Sequence, residues 1–269
     1  ITMDDGIIYG FDTGYLPCQE VMKGDLKSTI ITICYDKTEN GQKWMYAVAS
    51  PKGEAFLCDY NSLRSRCKIM LGNYNVLNLF FHEKTGSLVV LFKNEVLLVN
   101  IKKHDVVNRL NLACKDISAS QLNGDFVYIG LETGQIMIVR ILSECSMELE
   151  KDLSTQLIHS EAVTSFAFSQ FFWVSTGKDG MVLFWEYSLN CIAKIILPEP
   201  IYASEVINGH RDLIVGTKSE LMLIKGEVVF NDEVDEEIES IDNFDKKTDQ
   251  LYSQIFTITE EEEEIQESI

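Results

Sequence analysis

The stretch Ser175–Ser188, STGKDGMVLFWEYS, decides the fold. Asp179 and Gly180 tolerate the left-handed backbone that a tight hairpin turn demands. The flanking runs, FFWVST (Phe171–Thr176) and MVLFW (Met181–Trp185), are aromatic and β-branched, the composition of strands. The stretch therefore reads as two antiparallel strands joined by a short turn, with Trp185 five positions after the turn glycine.

Working outward, the same spacing recurs. Aligned on the turn residue, Gly6 leads to Phe11-Asp12, Gly53 to Cys58-Asp59, Asn94 to Val99-Asn100, Gly134 to Val139-Arg140 and Gly180 to Trp185-Glu186, and a degenerate copy puts its turn at Ser219. Successive turns are 47, 41, 40, 46 and 39 residues apart. A period of about 40 to 45 residues is that of a four-stranded propeller blade. Each interval holds the strands a blade needs: between Gly134 and Gly180 these are QIMIVRIL, SMELEKDL, AVTSFAFS and FFWVST. The first two finish one blade and the last two begin the next. Helical periodicity is absent from this region, and turns rich in Gly, Asn and Asp separate the runs.

The segment IHSEAVTSFAFSQFFWVSTGKDGMVLFWEYS resembles a WD repeat, with Trp185-Glu186 standing where that family has Trp-Asp. The resemblance implies a hydrogen-bonded chain within one blade, carried here by His159, Ser175, Asp179 and Trp185. The physical logic agrees, because a buried Asp is costly unless paired and the histidine and indole supply donors. The motif thus reports architecture rather than chemistry. The other copies keep the spacing and lose the Trp, the His or both. The expected fold is an all-β, WD40-like β-propeller over residues 1–230, with about five complete four-stranded blades and a partial N-terminal blade. Seven blades being common in the family, the ring is expected to be completed by sequence preceding Ile1 or by another element, and the non-Met start favours the first.

Charge separates two regions. The chain carries a formal −19, but residues 231–269 hold fifteen acids against two lysines, leaving −6 on residues 1–230. No basic stripe appears, so binding to nucleic acid through phosphates is not expected. No apolar run reaches the roughly 18 residues of a membrane helix, so no membrane insertion is expected either. The seven cysteines stand singly, without C-x-x-C pairs, and read as buried thiols of an intracellular protein, cytoplasmic by expectation.

In the acidic region Ile241, Phe244, Thr248, Leu251, Ile255, Ile258, Glu262, Ile265 and Ile269 step alternately by three and four, the seam of a heptad pattern. This predicts an amphipathic helix whose seam (Ile241, Phe244, Leu251, Ile255, Ile258, Ile265) binds a helical or coiled-coil partner. Against it stand the β-branched residues Thr257, Ile258 and Thr259, which leave a short strand at QIFTIT as the alternative. The run Glu260–Glu264 reads as a solvated surface.

A search for chemistry returns little. HRDL at His210–Leu213 matches the opening of a kinase catalytic loop, but Thr217 stands where that loop has Asn, and a turn between strands is the better reading. No P-loop, nucleophile elbow or EF-hand loop occurs, and the four histidines fall in four repeats without ligand spacing, so no cofactor, metal site or catalytic residue is expected. The expected function is a non-enzymatic protein–protein scaffold within a multi-protein assembly. In layout the chain is similar to the WD-repeat coiled-coil proteins of cilia and flagella, which implies an axonemal complex. Vesicle-coat or nuclear, histone-binding propellers are the alternative, and an enzyme or small-molecule sensor using the central channel is a third reading.

Overall fold

Among the described residues the regular elements are strands, as the aromatic and β-branched runs dictate. The computed structural model describes residues 7–12, 19–25, 32–35, 45–50, 52–59, 64–72, 76–112, 116–152, 158–207, 212–226 and 256–258. A two-stranded antiparallel sheet comes first, β1 (Ile7–Asp12) with β2 (Gln19–Asp25). Among the described residues five four-stranded sheets follow, each built from four strands consecutive in that order. They are β3 (Thr32–Tyr35), β4 (Met45–Ser50), β5 (Glu54–Asp59) and β6 (Ser65–Met70), then β7 (Asn78–His82), β8 (Ser87–Leu91), β9 (Glu95–Asn100) and β10 (Asp105–Asn111). Next come β11 (Ile117–Asn123), β12 (Phe126–Leu131), β13 (Ile136–Ser143) and β14 (Ser146–Asp152), then β15 (Val163–Phe168), β16 (Phe172–Gly177), β17 (Met181–Glu186) and β18 (Cys191–Ile196). The last sheet joins β19 (Ala203–Ile207), β20 (Asp212–Gly216) and β21 (Leu221–Ile224) to the remote β22 (Phe256–Ile258).

The repeated turns sit between the second and third strands of their sheets. Gly53, Gly134 and Gly180 take φ of 71°, 83° and 74°. Gly6 lies outside the described residues. A second repeat is visible only in three dimensions. In three sheets the fourth strand carries one extra residue opposite the position five after the turn: Arg66 opposite Leu57/Cys58, Val107 opposite Leu98/Val99, and Ile192 opposite Phe184/Trp185. Such bulges bend the outer strand and increase its twist.

The chain divides into two compact units, residues 1–117, 122–127 and 138–151 in one and 118–121, 128–137 and 152–269 in the other. In the first, the core joins Ala47, Leu57 and Ile69 to Leu79, Leu88, Val90 and Leu97. In the second it joins Val174, Val182, Phe184 and Ile195 to Val206, Leu213, Val215, Met222 and Ile224. Hydrogen bonds between neighbouring sheets span about one repeat: Thr32–Asn78 (46 residues), His82–Asp125 (43), Asn100–Glu144 (44), Ser118–Val163 (45) and Ser165–Ser204 (39).

The tail expectation needs correction at one point. Phe256–Ile258 is a strand, so Ile258 does not sit on a helical seam there. Three successive β-branched residues, Thr257 to Thr259, favour the extended backbone, and among the described residues β22 is the strand that pairs with the outer edge of β21. This strand also carries the last sheet past residue 230, where the strand region was expected to end. Ile241, Phe244, Leu251, Ile255 and Ile265 lie outside the described residues.

Candidate functional site

The residues of the opening stretch meet in one hydrogen-bonded chain. Trp185 Nε1 donates to Ser175 Oγ at 3.0 Å, Ser175 Oγ lies 2.9 Å from His159 Nε2, and His159 Nδ1 lies 3.1 Å from Asp179 Oδ1. One ring proton suffices: the serine hydroxyl donates to Nε2 and Nδ1–H donates to the carboxylate. Asp179 also accepts from the backbone N–H of Met181 (3.0 Å, Oδ1) and of Ser160 (2.8 Å, Oδ2). Burial pushes this carboxyl upward, but the bonds from His159, Met181 and Ser160 outweigh it and hold the group below the ordinary carboxylate range. Two glycines make room. A Cβ on Gly177 would stand 2.5 Å from Asp179 Oδ1 and 2.6 Å from His159 Nδ1, and one on Gly180 would stand 2.4 Å from the carbonyl oxygen of Leu197. Beside the chain the rings of Trp173 and Trp185 stack at 5.2 Å, and Tyr128 meets Trp173 at 5.0 Å and Phe168 at 4.8 Å.

Two further polar clusters escaped the sequence reading. His82, buried at the end of β7, sets Nε2 3.0 Å from Asp125 Oδ1 and Nδ1 2.7 Å from Thr85 Oγ1, while Lys84 Nζ reaches Asp125 Oδ2 at 2.7 Å. The Lys84 hydrogen bond, ahead of that from His82, keeps the Asp125 carboxyl below its ordinary value. Ser165 Oγ lies 2.7 Å from both Thr176 Oγ1 and Ser204 Oγ, a hydroxyl chain from β16 through β15 to β19. Both clusters join residues about one repeat apart, an offset that comes from the packing of adjacent sheets. Neither presents converging acid, base and nucleophile at an open surface, and among the described residues no group of three or more His, Cys, Asp or Glu is placed to hold a metal. Asp212, from the kinase-like HRDL, opens β20 and accepts from Gly226 N–H (2.9 Å) and Lys225 Nζ (3.5 Å).

No protein-family model matches the chain, and no curated protein sequence does. Among solved structures, Hsv2 of Kluyvelomyces marxianus, a WD40 β-propeller protein, is similar with a TM-score of 0.58 over 81% of this chain and 69% of that one, at 10% identity. The fold is of the β-propeller kind. The four-stranded antiparallel sheets are its blades.

In each blade short turns lie at the sheet ends. At one end of the β15–β18 blade Phe171 is 68% exposed and Tyr187 44% exposed. The turns that carry them are hydrogen-bonded. Ser169 Oγ accepts from the N–H groups of Phe171 (3.0 Å) and Phe172 (3.1 Å), and Tyr187 Oη donates to Ser169 O at 2.6 Å. Glu186 beside them is held by Ser188 Oγ (2.6 Å) and Asn190 Nδ2 (3.1 Å), whose donation keeps its carboxyl below the ordinary value. The cysteines split: burial pushes the Cys58 thiol up to about 12, whereas Cys145 and Cys191 are exposed, contrary to a uniformly buried set. Both sit in or beside the turn before a fourth strand, where only one face of the chain is covered.

Proposed function

We propose that the chain is a non-enzymatic interaction module, a propeller that docks partner proteins within a larger assembly through the ends of its blades. The observation that carries this is the aromatic pair Phe171 and Tyr187, exposed on turns that hydrogen bonds pre-organise. Rigid exposed aromatics are the usual anchors of interfaces, since they contribute large contact area with little rotamer entropy to lose. The partners are proteins rather than nucleic acid, and the compartment proposed is the cytoplasm, with axonemal assemblies the first class to examine and nuclear or vesicle-coat assemblies the alternative. Ahead of the Phe256–Ile258 strand, the acidic region is proposed as an arm that a helical partner engages through Ile241, Phe244 and Leu251.

Quantitative affinity capture from cells tests the reading by comparing the wild-type chain with Phe171→Ser/Tyr187→Ser. The expected result is loss of a defined partner set with the urea midpoint unchanged within the ~0.5 kcal/mol typical of surface substitutions. An identical partner set for both proteins would contradict it.

A further inference from the structure

The fourth strand of the last blade differs from every other fourth strand for which a ladder is described. In the four preceding sheets it follows the third after two to five residues (60–64, 101–104, 144–145 and 187–190), whereas residues 225–255, 31 of them, separate β22 from β21. β22 is three residues long and pairs Phe256, Thr257 and Ile258 with Leu223, Met222 and Leu221. Its described ladder covers Leu221–Leu223, short of Ile224, the position five after the turn at Ser219, where β6, β10 and β18 carry their bulges in the other sheets. The edge of β21 is therefore filled by a segment outside the repeat, through a short ladder.

We propose that the outer edge of β21 is a strand-acceptor site, held in this structure by the chain's own Phe256–Ile258 until an extended segment of a partner protein replaces it. The inference rests on the reading of the chain as an interaction module and adds a mode of binding distinct from the Phe171/Tyr187 surface. Strand addition draws affinity from main-chain hydrogen bonds and specificity from alternate side chains. The resident segment defines the ligand class: an aromatic and an aliphatic residue two apart, a β-branched residue between them, and acids following (Phe256, Ile258, Thr257 and Glu260–Glu264). The acceptor matches. Leu221 is 52% exposed and Leu223 half-buried on the face opposite the core-facing Met222 and Ile224, an apolar pair for the aromatic and the aliphatic residue. A resident strand in the same chain competes with any incoming one at a high effective concentration, so the site is self-occluded.

The probe is a fluorescent peptide of residues 254–262, QIFTITEEE, titrated into the full chain and into the full chain carrying Thr257→Pro, which removes the central N–H of the resident strand. The expected result is at least tenfold tighter binding to the variant, with no binding to either chain by a peptide carrying proline in place of Thr257. Equal affinity for both chains, no binding to the variant, or binding of the proline peptide would each overturn the proposal. A readout that needs no variant is hydrogen exchange on the wild-type chain in peptide excess. There β21 keeps its protection while the amides of Phe256–Ile258 become exchangeable, and unchanged protection of both overturns the proposal. Either failure leaves the Phe171/Tyr187 result untouched, so the two readings fall separately.

Discussion

The blade β15–β18 and the last blade, β19–β22, lie side by side in sequence and share a hydrophobic core, yet they are finished differently. In β16 all six residues are buried, so both faces of that strand are covered. In β20 burial alternates, with Leu213 and Val215 buried and Asp212, Ile214 and Gly216 only half so, and in β21 Met222 and Ile224 are buried while Leu221 is exposed. The first blade adds a buried polar chain and a contiguous, bulged fourth strand. Among the described residues the second has no such polar chain, Ile214 and Ile224 standing where Ser175 and Trp185 stand, and its fourth strand comes from beyond residue 250. A blade can therefore hold its fold by apolar alternation alone, and the polar network is an addition that fixes one blade more firmly than its neighbour.

The largest expected effect breaks the first half of that comparison. Asp179→Ala leaves His159 Nδ1 and two backbone N–H groups without their acceptor in a site where the Asp179 side chain is 4% exposed, and it is expected to cost about 3 kcal/mol. An unchanged urea midpoint would show that the chain contributes nothing. A pair of truncations in the last blade sharpens the second half. Leu213→Ala, at a fully buried position, is expected to cost about 2 to 4 kcal/mol, whereas Leu221→Ala on the open face is expected to stay within ~0.5 kcal/mol. Similar losses from both would mean that the open face is covered in solution.

A smaller effect appears on acidification. Because the folded state holds the Asp179 carboxyl below its ordinary value, its contribution is complete above about pH 4 and is lost as pH falls through the lowered folded value. Asp179→Asn is therefore expected to be less stable at neutral pH and to lose less on going to pH 3 than the wild-type chain. Parallel stability curves for the two proteins would contradict the assignment of that slope to Asp179.

Much of this was legible in the sequence because strands and turns are local. The 39-to-46-residue spacing of Gly53, Asn94, Gly134, Gly180 and Ser219 located the turn between second and third strands in each blade, and the resemblance to a WD repeat named the residues of the polar chain. What stayed hidden depends on relations between repeats. His82 meets Asp125 only because adjacent sheets pack, and nothing near either residue announces the other. The bulges at Arg66, Val107 and Ile192 share a place in the ladder but no residue type, so they left no motif. Around Phe256–Ile258 the heptad seam and the β-branched run pointed opposite ways, and pairing with the outer edge of β21, a tertiary feature, favoured the strand.

Native-state hydrogen exchange resolved by residue tests the account most directly. It predicts that the amides of β16 and β17 exchange slowest, at the level of global unfolding, and that those of β21 and β22 exchange orders of magnitude faster through local opening of the last blade's edge. Equal protection across the two blades, or slower exchange in β21 than in β16, would contradict it.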